Sequence, residues 1–167
     1  TQGRRLVLLT MDCREVKSLE EVRICNWLIT NGINFEYERP YPYDTATEVH
    51  RQYYPDFYYP QIDLYHEHFA LNTEGAAPTF MGSSYVDGVC WKRNLHDKNK
   101  TKLIETLSAD FQDGTIFEKL EAQLDIYGIP LKPLNPEEID ECIQQNFDLE
   151  TDMLLFIAVL KHFKANN

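Results

Sequence analysis

Asp56 and Glu67 lie in the run YYPDFYYPQIDLYHEHF, residues 53–69, and are the pair of side chains best spaced to act on one group. The run reads as two short strands joined by a Pro-bearing turn, with Asp56 on the first and Glu67 near the end of the second. A carboxylate at the head of a hairpin and another on the next strand can share a divalent cation. Magnesium takes hard oxygen ligands in near-octahedral geometry, usually one or two protein carboxylates with water and phosphate oxygens. Phosphodiester hydrolysis uses such a cation to activate water and to stabilise the leaving oxygen. Carboxylates gathered together repel one another, so the grouping is costly without a positive charge. Alternation along the second strand sets Asp63, Tyr65, Glu67 and Phe69 on one face, and Leu64, His66 and His68 on the other. Glu21, one turn into the first helix, completes the cluster if that helix packs over the sheet.

A basic group is also needed, to orient the water or to balance charge. The same-face position two residues after Glu67 is held by Phe69, so the candidate is Lys92 in DGVCWKRNLH, with Arg93 and His96 beside it. Each of these residues also has a plainer role open to it. Asp56 can form a turn by bonding its own backbone, and Glu21 can be a first-turn acid favoured by the helix dipole. Lys92 can be a solvated helix residue, whereas a carboxylate at Glu67 in a central strand needs a cation or a basic partner. His66 and His68, with His50 and His96, invite a zinc reading, but no Cys or third His has firm ligand spacing. The tyrosines Tyr53, Tyr54, Tyr58, Tyr59 and Tyr65 could stack on single-stranded bases or pack the sheet with satisfied hydroxyls.

The elements that must position these groups follow from punctuation and periodicity. Ser18-Leu-Glu-Glu21 has the capping-box pattern and opens a helix. Val22, Cys25, Leu28 and Ile29 form its apolar stripe, and Gly32 ends it. Residues 33–39 alternate as a half-buried strand, and further strands are expected at 52–58 and 62–70. LNTEGAAPTFMGSS reads as an exposed loop, Ser84 to Asn99 as a helix, and Thr101 to Leu107 as a short buried strand. Thr115 to Tyr127 is an amphipathic helix stopped by Gly128, and a Pro-rich hinge leads to an acidic helix over 136–145. A last amphipathic helix is expected over 151–164. The fold class is therefore α/β, with a small mixed sheet flanked by helices and a C-terminal helical appendage. Domain boundaries are expected at 1–130 and 131–167.

Composition narrows the class. With 43% hydrophobic and 13% aromatic residues in 167, the chain can bury a core and is not a disordered segment. No run of about 18 apolar residues occurs, so no membrane partner is expected. The four cysteines are scattered without a C-x-x-C pair, which suggests a reducing, cytoplasmic setting rather than a disulfide framework. The start has neither an initiator Met nor a signal-cleavage pattern, so a piece of a longer chain is expected. The net charge of −11 offers no global basic face for DNA phosphates. Nucleic acid, if it is the substrate, must then be delivered by something attached.

Three runs carry a resemblance: VKSLEEVRICNWLITNGINFEYERPY, YYPDFYYPQIDLYHEHFAL and WKRNLHDKNKTKLIETLS. In that order they resemble the nuclease-like insert of helicase IV-type, superfamily-one DNA helicases. The tail LLFIAVLKHFKANN resembles the stretch where such a chain returns toward the helicase. The resemblance implies a restriction-endonuclease-like core of the PD-(D/E)xK kind and a Mg2+- or Mn2+-dependent deoxyribonuclease. Glu21 then matches the helix-one acid, Asp56 the PD aspartate, Glu67 the (D/E) position, and Lys92 the WKR stretch after the loop. Asp56, Glu67 and Glu21 would be the metal ligands, and Phe69 is a departure at the x-K lysine position. The implied partners are DNA and the remainder of the helicase chain. ATP would serve only that motor, because no Gly-rich phosphate loop with Lys-Ser/Thr occurs here. An alternative function is a catalytically degenerate nuclease fold that positions DNA or docks protein; a second is a structure-specific endonuclease that works alone.

Overall fold

The computed structural model describes residues 7–145. The helix expected over 151–164 and the tail that resembles a helicase junction lie outside the described residues. The chain forms two compact units: one joins the residues up to Gly32 with those from Lys132 onward, and the other is Ile33–Leu131.

In the first unit, a short antiparallel hairpin of β1 (Leu8–Leu9) and β2 (Glu15–Val16) lies against α1 (Leu19–Thr30). The hairpin was not anticipated, because two-residue strands have no periodicity to read. Ser18 caps α1 by accepting the Glu21 N–H at 3.1 Å. The buried face of α1 is Glu21, Ile24, Cys25 and Leu28, so Ile24 belongs to a stripe on which Val22 and Ile29 are only half-buried. Gly32 then turns the chain at φ 64°, where an added Cβ would meet the Lys132 carbonyl oxygen at 2.5 Å. Beside that turn Lys132 N–H donates to Asn31 O and Leu134 N–H to Thr30 O, each at 2.8 Å. A reciprocal cap, with Asn135 Oδ1 accepting Glu138 N–H and Glu138 Oε2 accepting Asn135 N–H, starts the acidic helix over 136–145.

The second unit is built on a four-stranded sheet of order β3 (Glu36–Tyr37), β4 (Phe57–Tyr59), β5 (Leu64–Phe69) and β6 (Lys102–Leu107). The first two pairings are antiparallel and the last is parallel, so the sheet is mixed. The parallel pair is made possible by the crossover helix α2 (Ser83–Asn99) between β5 and β6. β3 and β4 are shorter than the patterns at 33–39 and 52–58 suggest. Glu38 takes a left-handed φ of 50°, which breaks β3, and Pro55 has no N–H to give a ladder before β4. Two isolated bonds survive there, Glu38 N–H to Asp56 O and Tyr41 N–H to Tyr53 O, each at 3.0 Å. The segment 70–82 is irregular except for one 3₁₀ turn at Thr79–Met81.

Helices cover both faces of this sheet. Tyr65 packs with Tyr41, Tyr53 and Tyr58 beneath Trp91 and Leu95 of α2, and Phe69 packs with Leu71 and Val89. On the opposite face lie α3 (Ser108–Gln112), which sequence periodicity did not reveal, and α4 (Ile116–Ile126). Ile116, Leu120 and Leu124 are the buried stripe of α4. Gln123 also closes the β6 edge: its amide donates to Glu105 O at 3.0 Å and accepts Glu105 N–H at 3.3 Å. No described helix is long and apolar enough to cross a membrane.

His66 on this second face has no exposed surface and is satisfied within the core. Its Nδ1 meets the Tyr59 hydroxyl at 2.9 Å, and its Nε2 meets Thr106 Oγ1 at 2.8 Å. Thr106 Oγ1 also lies 2.9 Å from His68 Nδ1, so the two histidines are linked through one hydroxyl. Burial first, and then the neighbouring His68, lower the His66 pKa from 6.5 to about 3. The folded protein thus keeps His66 neutral where an unfolded chain would bind a proton. Stability is full above the unfolded value and declines as pH falls from 6.5 toward 3. We expect His66 to contribute a loss of about 2 kcal/mol between pH 7 and pH 5, at about 1.4 kcal/mol per pH unit below its unfolded pKa. Urea unfolding across that range checks it, and a flat profile would contradict it.

Candidate active site

The register of β4 and β5 decides which side chains meet. Phe57 pairs with His66, Tyr58 with Tyr65 and Tyr59 with Leu64. Continued by one residue, the same register sets Asp56 opposite Glu67, and directly opposed residues project from the same face. Two like charges so placed are destabilising unless something positive faces them. Asp56 is held in place through Oδ2, which accepts the His68 backbone N–H at 2.8 Å. This hydrogen bond crosses to the second strand.

Glu67 has no exposed surface, yet both of its oxygens are bonded. Lys92 Nζ lies 2.5 Å from Oε2, and the Tyr53 hydroxyl donates to Oε1 at 2.7 Å. Lys92 comes from α2 above this face, with 29% of its side chain exposed. Its ammonium also sits 5.5 Å from the ring centres of Tyr53 and Phe69. Phe69 is thus a buried packing residue that borders the ammonium. Burial pulls the Lys92 pKa down, but Glu67 and then Asp56 outweigh it, and the net shift is upward. The lysine is a cation at neutral pH, and it senses both carboxylates.

A chain of polar groups stands behind Glu67. Tyr53 Oη lies 3.1 Å from His96 Nε2, His96 Nδ1 lies 2.7 Å from Thr101 Oγ1, and that oxygen lies 2.6 Å from the Tyr41 hydroxyl. Tyr53 has one proton and gives it to an ionised carboxylate, which can only accept. His96 Nε2 must then carry the ring proton, so that Nδ1 accepts from Thr101 and Thr101 accepts from Tyr41. Burial, and next the adjacent Lys92, lower the His96 pKa to about 4, which keeps this imidazole neutral. Burial first, then the Glu67 charge, push the Tyr53 pKa up, so its proton stays on the hydroxyl.

Other expectations fall differently. Glu21 belongs to the first unit, and its carboxylate turns back on its own helix start. Its Oε1 accepts the Ser18 hydroxyl at 2.8 Å, and its Oε2 accepts the Lys17 N–H at 3.3 Å. Arg93 points to a bidentate pair with Glu105, at 2.7 and 2.6 Å. Of the five tyrosines, Tyr53, Tyr58, Tyr59 and Tyr65 are buried, and only Tyr54 is exposed. The Tyr53–His96 support was missed by sequence reasoning. Its one available signal was that His96 follows Lys92 by four residues and so shares its helix face.

The donors that converge here are hard oxygens, which suits Mg2+ or Mn2+ rather than a soft-ligand metal. Asp56 and Glu67 supply one carboxylate each, and among the described residues no cluster of three His, Cys, Asp or Glu side chains forms. Compared with known protein families, curated proteins and solved structures, the chain matches none.

Removing Lys92 leaves the buried Glu67 charge without its counter-ion, a change that costs about 3 kcal/mol or more. We expect Lys92→Met to lower stability by about that much, and Arg93→Met, at a half-exposed pair, by less than about 1 kcal/mol. Equilibrium urea unfolding compares them. Glu67→Gln combined with Lys92→Met should recover part of the loss, as coupled neighbours do.

Proposed function

We propose that the chain is a metal-dependent deoxyribonuclease domain with a restriction-endonuclease-like core. In this reading it is a PD-(D/E)xK-like insert that accompanies a superfamily-one DNA helicase. One observation carries it: an Asp and a Glu opposed across one strand pair, with a single lysine bonded to the Glu from a covering helix. That donor set suits phosphodiester cleavage, with the lysine contributed by α2 instead of by β5. Asp56 and Glu67 would hold a divalent cation, which would supply Lewis acidity toward a phosphate. Lys92 would supply a positive charge for the phosphate oxygens, while the Tyr53 hydroxyl holds Glu67 in place. Glu21 takes no ligand role in this reading, since its carboxylate caps the start of α1. Residues 131–167 would lead back toward the motor, which alone would use ATP. Delivery of DNA by that motor accounts for an acidic domain, at net charge −11, acting on a polyanion.

Phe69 in the place of the strand lysine favours a second reading, in which the fold positions DNA or docks protein without cutting. End-labelled single-stranded, duplex and forked DNA, incubated with the protein in Mn2+, separates the two. We expect cutting that falls at least about 100-fold in Asp56→Ala, the scale of loss for one missing transition-state contact. No cutting by the parent protein, alone or with its helicase restored, would leave the positioning role. Cutting at full rate without a helicase would identify an endonuclease that works alone.

A further inference from the structure

The ion pair at Glu67 bears on how a cation could enter. Glu67 Oε1 is taken by Tyr53, and Oε2 by Lys92 at 2.5 Å. Asp56 Oδ2 is engaged by the His68 N–H. The ammonium therefore already compensates Glu67, and it also feels the Asp56 charge. A second cation placed beside it would meet a like charge in a half-buried setting, where screening is weak. Lys92 is also the one member of the cluster free to leave. It has a flexible four-carbon stem and a partly exposed side chain, whereas Glu67 is buried and held by Tyr53 and Asp56 is tied to the β5 backbone.

We propose that Lys92 and a divalent cation compete for Glu67, and that a nucleic-acid phosphate, by drawing Lys92 away, admits the cation. This rests on the nuclease reading above and adds a regulatory feature to it. Without substrate the lysine closes the site. With substrate the ammonium pairs with a phosphate, Glu67 Oε2 becomes available, and cation and strand bind with positive coupling. Tyr53 and His96 keep the carboxylate in place during the exchange, through the Tyr53 hydroxyl on Oε1 and its His96 neighbour. Coupling of this kind is reciprocal, so the cation must tighten strand binding by the same factor.

Isothermal titration of Mn2+ into the full chain, with and without a saturating forked oligonucleotide, measures the coupling after subtraction of Mn2+ binding to the oligonucleotide. We expect the oligonucleotide to tighten Mn2+ binding by about tenfold or more, within the usual range of such couplings. Phosphate oxygens that ligate the ion directly would also give coupling, so the decisive comparison is Lys92→Met. Competition requires this variant to bind Mn2+ more tightly than the parent without DNA, and to lose most of the coupling. Equal affinity of parent and variant without DNA would overturn the proposal while leaving the nuclease reading intact. No Mn2+ binding under any condition would overturn both. Should the variant fail to fold, 15N-lysine NMR of the parent gives the same decision. The Lys92 ammonium, protected by Glu67 in the free protein, should lose protection on addition of Mg2+ with oligonucleotide. An unchanged signal would contradict the exchange.

Discussion

Glu67 is a carboxylate without exposed surface in the middle of a sheet, and much of the second unit is arranged around the need to neutralise it. An ion of this kind is expensive to desolvate, and its partners must sit close and satisfy its lone pairs. Lys92 reaches down from α2, and the Tyr53 hydroxyl reaches in from the irregular stretch before β4. The proton order along Tyr41, Thr101, His96 and Tyr53 then follows from one acceptor-only group at its end. A buried ion pair with this much support adds little net stability over an apolar core. Losing one partner is the costly event, because the other charge is then left buried and unpaired.

The sheet topology makes the cluster possible. The antiparallel β4–β5 pair, joined by a short turn, places Asp56 opposite Glu67, whereas a parallel pair would need a crossover of about a dozen residues or more between the strands. The parallel β5–β6 pair, in turn, requires the crossover, and α2 is that crossover. The helix that brings Lys92 is thus a consequence of the same strand order that opposes the carboxylates. His66 and His68 are joined through Thr106, and the neutral His66 ring behaves as a polar core residue.

Much of this was legible in the sequence, for identifiable reasons. The Asp56–Glu67 hairpin follows from a Pro-bearing turn between alternating segments, and α4 follows from its apolar stripe at Ile116, Leu120 and Leu124. Glu21 was legible as a capping-box acid from Ser18, and that cap is the role the structure gives it. Strand length was overread. Tyr and Phe raise β-propensity along 52–58, but Pro55 and the left-handed Glu38 end the ladders locally. The β1–β2 hairpin and the five-residue α3 are too short to leave a period. Tyr53 was the main loss. Its hydroxyl meets Glu67 from outside any regular element, so no spacing rule could pair them.

The central claim is that Asp56 and Glu67 form one cation site, and crystals of the protein grown with Mn2+ and a short DNA strand test it most directly. An anomalous-difference map should show one strong peak bonded to an oxygen of each carboxylate, with the Lys92 ammonium moved off Glu67. A map with no peak at these residues, and Lys92 still paired to Glu67 beside bound DNA, would contradict the account.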